Sequence, residues 1–355
     1  MGRFDSINSQ NQIDSGLISV YNSIIVNPTE EIEMHELEMV NNEAQMAFTG
    51  PREDVWHRLG KQVSNDLTPQ QMMEAAGVDW HVSKQPLYMR LDNGTEVQTK
   101  QMALVRDSDG KILDYVSPSW NPVQNEEAFN FFNDFVGSGK MKMDTAGSLK
   151  GGQIVWANAK LGDEFDIFGG DVVKGYMLFS NPHKFGQGIN IRTCMTRTVC
   201  WNTLSVGLRE NSKHAFSQSH ATKFDAEKVK EAMGVSKQFL AKYKEQALFL
   251  GSKIATVDQM IEYFKTVFPV NTTEGREQRS EVSRNAELAM SVLETQPGAQ
   301  FAKGSWWQAF NSVTYLTDNL IGRTDENRTL SGIYGVNAAK KSFALNKALQ
   351  MATLG

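Results

Sequence analysis

Apolar and polar positions along this chain follow two rhythms, alternating through much of the first half and helical through the second. Thr68 as N-cap, Pro69 at the first helical position, Gln71 closing a capping box and Gly77 as a stop predict a short helix. Alternation over 80–91 and 96–106, a turn at 107–110 and a run to Val116 predict a three-strand unit. Asn121 and Pro122 are expected to open a second helix whose apolar face, Phe129, Phe132, Phe135 and Val136, ends at Gly137. After a Gly- and Lys-rich loop, strands are predicted over 153–160, 174–180 and 189–199. Their connections are too short for helical crossovers, so they read as an antiparallel meander.

From Asp225 the spacing turns helical. Val229, Ala232, Met233, Leu240, Tyr243 and Ala247 mark one helix, Thr256 with Gln259 caps the next, and helices over 281–293 and 306–320 follow. One of the adjacent Trp306 and Trp307 is expected to be buried and the other partly exposed, available to a subunit interface. The fold class is α+β, an antiparallel sheet-bearing N-terminal half followed by a helical C-terminal half. The expected division is an N-terminal arm over 1–33, a mixed domain with the meander over 34–224, and a helical region over 225–355 that can pack on the same core.

The chain has 355 residues, 40% hydrophobic and 22% charged, a composition that excludes wholesale disorder and suffices for a large core. No apolar run nears the roughly 20 residues needed to span a bilayer, and the N-terminus lacks the basic and apolar regions of a secretory signal. A cytoplasmic protein without membrane association is expected. Two cysteines in such a length do not form a disulfide framework. The net charge of -5 is unevenly spread: residues 1–60 carry 3 Lys and Arg against 10 Asp and Glu, whereas 190–260 carry 11 against 6. A polyanion responds to the field of one face, so the basic middle keeps nucleic-acid binding open.

The densest chemistry lies between Phe179 and Asn202. His183 and Phe185 occupy a Gly-containing turn, Arg192 and Arg197 follow on a strand, and Trp201, Arg209, Lys213 and Lys223 come after. Basic and aromatic residues interleave as they must to hold phosphates and stack bases, Phe216 being a further aromatic group; a solvated strand edge is the competing reading. GQGIN at 186–190 is neither a phosphate-loop lysine motif nor a dinucleotide fingerprint. His183, His214 and His220 with Cys194 and Cys200 lack the paired spacing of a structural zinc site. The acidic loop from Asp163 to Asp171 reads as a charged connection with phenylalanines tucked beneath it rather than a cation site. Trp56 reads as a core anchor with His57 beside it. No catalytic signature, cofactor motif or metal site is expected.

Several words, MHELEMVNNEAQMAF from Met34, VWHRLG from Val55, LTPQQMMEAAGVDW from Leu67, GGQIVWANAKLGDEFDIFGGDVVKGYMLFSNPH from Gly151, TRTVCWNTL from Thr196 and GSWWQAFNSVTYLTDN from Gly304, occur in order. Together they resemble a family of proteins without assigned activity carried by phages, plasmids and other laterally transferred elements. The resemblance runs from about Met34 to the C-terminus and implies a mobile-element setting, in which replication and recombination proteins are common. The expectation is a non-enzymatic, homo-oligomeric protein that binds single-stranded nucleic acid in the host cell cytoplasm. The alternatives are a factor acting on a host or defence protein through the acidic N-terminal half, or an enzyme with a pocket around His183, Asn202 and His214.

Overall fold

The computed structural model describes residues 37–52, 59–197, 203–205, 215–220, 222, 226–270, 281–322, 331 and 335–354. The expected arm, Trp56, His57, Cys200, Trp201, Asn202, Arg209, Lys213, His214 and Lys223 lie outside them. The fold is α+β, strand-rich first and helical later. The strands are β1 (Met39–Val40), β2 (Glu43–Ala44), β3 (Met46–Phe48), β4 (Lys61–Gln62), β5 (Val82–Arg90), β6 (Glu96–Arg106), β7 (Ile112–Val116), β8 (Met141–Leu149), β9 (Ile154–Asp166), β10 (Val172–Pro182), β11 (Ile189–Arg197), β12 (Thr203–Ser205) and β13 (Ala215–Gln218). The helices are α1 (Pro69–Ala75), α2 (Asn125–Asn130), α3 (Asn133–Gly137), α4 (Ala226–Ser252), α5 (Val257–Val267), α6 (Arg284–Ser291), α7 (Trp306–Tyr315), continued by a π-helical turn at Leu316–Leu320, and α8 (Val336–Leu354).

An eight-stranded sheet in the order β12-β11-β10-β9-β8-β3-β4, with β13 also on β11, forms the spine. Its β8 to β11 stretch is antiparallel throughout, and only the β3–β4 pair is parallel. The inner face presents Val155, Ala157, Ala159, Met177, Phe179, Ile191 and Met195 to one buried cluster, which also takes in Leu240, Tyr243, Phe264, Trp307 and Phe310 from the helices. Small residues let the helices come close. A Cβ on Gly175 of β10 would sit 2.9 Å from both Leu240 δ-carbons of α4.

A separate three-stranded sheet, β5-β6-β7, carries a hairpin arm on which the neighbours Tyr88 and Met89 are 56% and 54% exposed, so both faces of the arm meet solvent. At its base Arg106 donates to Glu38 Oε1 (2.6 Å) and to both Asp109 oxygens (2.9 and 2.6 Å), and lies 5.1 Å from the Trp80 ring. Hydrogen bonding from Arg106 holds the Asp109 carboxyl down at about 2.

Three expectations are corrected. The helix expected from Asn121 starts at Asn125, because Gln124 is used as a strand mimic, accepting from Val82 N and donating to Val82 O at 2.9 Å each. It also breaks at Phe131: Phe131 and Phe132 are both buried, and successive residues of one continuous helix point about 100° apart. The Gly- and Lys-rich loop before Gln153 contains β8. Trp306 and Trp307 are both buried, at 1% exposure, since α7 is enclosed on both sides, Trp306 against Tyr263 and Trp307 with its indole N–H on Asp171 at 2.9 Å.

Candidate nucleic-acid interface

The turn between β10 and β11 is built from buried amides. Asn125 donates to the carbonyls of Val78 and Trp80, which points its own oxygen at His183 Nε2, 2.9 Å away. Facing an acceptor, Nε2 must carry the imidazole proton and Nδ1 is bare. Asn181 donates to Val123 O at 2.8 Å, and His183 N donates to Gln153 O at 2.8 Å. His183 is fully buried, and desolvation, then the charges of His220 and Arg106, push it down to about 3, so the ring stays neutral. The sequence placed His183 among surface contacts; in the fold it locks the root of the turn.

Beyond that lock the turn projects. Phe185 N donates to Asp114 Oδ2 of β7 at 2.8 Å, and the Phe185 side chain is 62% exposed. Gly186 takes φ of +78°, and a Cβ on Gly188 would lie 2.5 Å from the Gln218 carbonyl of β13, so glycine permits the loop to lie against that strand. The result is a cleft of about 340 Å³ lined by Ser117, Ser119, Trp120, residues 185–188, Ser217 and Ser219. Trp120 stacks on His220 (4.1 Å, 26°), whose Nδ1 meets Asn121 O at 3.2 Å. Arg209 and Lys213 fall between β12 and β13 in the sequence and Lys223 four residues after Ser219, all three outside the described residues. A wider depression of about 670 Å³, lined by Gly50, Pro51, Arg52 and residues 62–65, has no aromatic wall among the described residues.

The outer face of the large sheet carries a second group that the sequence did not single out. Lys142 of β8 stands directly across from Lys160 of β9, and Lys160 across from Tyr176 of β10; Lys174 is two residues from Tyr176 on the same side. Lys160 is held below the usual lysine range by desolvation and then by Lys174, against the opposing pull of Asp144 and Glu164. Trp156 and Asn158 share this face, and their Nε1 and Oδ1 atoms have no hydrogen-bond partner among the described residues. Arg192 lies further along the same face, across from Leu178, and is 8% exposed. Position 197 closes β11.

Cys194 is buried and its thiol is pushed up to about 12 by desolvation, which leaves it a packing group rather than a nucleophile. Among the described residues no three His, Cys, Asp or Glu side chains gather to hold a metal ion, and no helix is long and apolar enough to cross a membrane. The acidic stretch expected as a loop from Asp163 to Asp171 is strand as far as Asp166, where β9 ends paired with β10; the short turn that follows is closed by Asp166 accepting from Phe168 N and Gly170 N, with Phe165 and Phe168 against the core.

The molecule is thus an α+β protein whose sheet is backed by helices on one face, while the other carries cationic groups beside a small buried cluster of Tyr176, Leu178 and Cys194. Residues 112–338 match the family described as a domain of unknown function, DUF932, and the chain belongs to that family. No curated protein and no solved structure matches it.

Proposed function

We propose that this protein binds single-stranded nucleic acid in the recombination or replication of a mobile element such as a phage, in the host cell cytoplasm, as a homo-oligomer and without catalysis of its own. The observation that carries the reading is the convergence of Lys142, Lys160 and Lys174 beside Trp156 and Tyr176 on one sheet face. Lys142 and Lys160 are directly opposed across strands, an arrangement that like charges make destabilising, whereas Lys174 stands across from Glu164; a phosphate backbone laid over the opposed pair turns that repulsion into attraction. Arg192, Arg197, Arg209, Lys213 and Lys223 extend the basic character along β11 and the segments after it, with Phe185 and Trp201 as stacking groups. His183 serves this reading by fixing the turn that presents Phe185.

Titration with a labelled single strand at low salt tests the proposal: binding that weakens steeply as salt rises is expected, and no binding at micromolar protein ends it. Self-association rests on the hairpin arm, where Tyr88, Met89, Leu91 and Val97 are exposed; a monomeric mass in light scattering would remove that part. The same arm favours a second reading, a factor that engages a host or defence protein, which capture of one defined partner in the absence of nucleic-acid binding would favour.

A further inference from the structure

We propose that the cleft between Trp120 and Phe185 is a pocket for one unpaired nucleobase of a bound single strand. The inference rests on the nucleic-acid reading above and adds what that reading leaves open, namely which chemical part of the polymer is recognised here.

Both walls are aromatic, Trp120 largely buried at 7% exposure and Phe185 largely exposed. Trp120 is backed by the His220 ring at 4.1 Å, and His220 is tied to the same turn twice, through Nδ1 to Asn121 O and through its carbonyl accepting from Asn121 N at 2.8 Å. Phe185 is anchored through its own backbone by Asp114, which leaves the ring free to stack. A planar heteroaromatic ring is the ligand such walls accept best.

The rim is neutral and bifunctional. Ser117, Ser119, Ser217, Ser219 and Gln187 offer donors and acceptors on either side, and the first two serines lie 3.0 Å apart, oxygen to oxygen. Such a set can answer both the donor and the acceptor positions on the edge of a base. No lysine or arginine lines the cleft among the described residues, so the phosphate is not what it recognises. At about 340 Å³ the cleft is at the small end of ligand pockets, suited to one ring system rather than a whole nucleotide chain. A base paired within a duplex keeps its face stacked and its edge occupied, so an unpaired base enters the site without the unstacking and unpairing cost that a duplex would add.

The test compares the full-length protein with a short labelled oligothymidylate and with an abasic deoxyribose-phosphate strand of equal length and charge. The base-bearing strand should bind roughly ten-fold tighter or more, the size of one stacked base. Phe185→Ala should cut that difference by about the share of one stacked base while leaving the salt dependence of both strands unchanged. Because Phe185 is exposed, that variant should keep the thermal midpoint of the parent protein. Trp120→Leu should act in the same direction, and its midpoint shows whether its fold survives. Equal affinity for the two strands, or a Phe185→Ala protein that prefers the base-bearing one as strongly as the parent does, overturns the pocket while leaving nucleic-acid binding intact. Failure of both strands to bind overturns both readings.

Discussion

His183 shows how one residue can shape a loop without touching what the loop meets. Its Nε2 proton is directed at Asn125 Oδ1, and that oxygen is oriented because the Asn125 amide group is committed to the carbonyls of Val78 and Trp80. Protonating Nδ1 would place a charge in a fully buried site next to Trp80 and within the field of Arg106. The folded ring therefore stays neutral down to about pH 3, whereas the unfolded ring takes its proton near 6.5. Between those values the unfolded chain binds a proton that the folded chain refuses, so stability is complete above about 6.5 and declines as pH falls toward 3. His220, also lowered by burial, acts in the same sense. Equilibrium unfolding across this window should show a slope approaching about 1.4 kcal/mol per pH unit from His183 alone. His183→Gln should flatten that slope, and an unchanged slope would assign the titration to other groups.

At the level of elements, packing at Gly175 makes a sharper prediction. A methyl there would press on both δ-carbons of Leu240, so Gly175→Ala should destabilise by about 1–3 kcal/mol in denaturant unfolding. Leu240→Ala alone should cost about 2–5 kcal/mol, and the double variant less than the two combined, because each change relieves the other. Additive costs would mean that α4 does not seat on β10 through this contact. The same contrast between local and tertiary causes explains which elements were legible. α1 and α5 announce themselves through Thr68 with Gln71 and Thr256 with Gln259, and both capping boxes form. β8 was missed because its alternation is broken at Asp144, where a bulge shifts the register and puts Met143 and Ala146 on one face. α8 lies within the stretch read as helical but was not delimited, because its buried stripe includes Ala344, Ala348 and Ala352, small residues that serve close packing and carry little periodic signal. The buried state of both Trp306 and Trp307 depends on elements around α7, which no local pattern reveals.

For the molecule as a whole, the sequence disclosed the loop half of the candidate interface and not the sheet half. Phe185 stood out within a turn cluster, but Trp120 lies on a different connection, and Lys142, Lys160 and Lys174 become neighbours only through strand register and a bulge. That register separates local field from net charge, which at -5 would by itself repel a polyanion. Replacing the three lysines with glutamine should reduce the steepness of the log affinity against log salt plot by about 0.7 for each phosphate no longer neutralised, or about 2 for all three. The exposed Lys242, Lys253 and Lys303 of the helical region provide the control, since their replacement changes the net charge equally but leaves the outer sheet face intact. The two triple variants should therefore part company, the first with a shallow slope and the second with the parent slope. If they shift together, binding follows overall charge and the sheet face has no privileged role; if only the first shifts, the strand is held where the register gathers the ammonium groups.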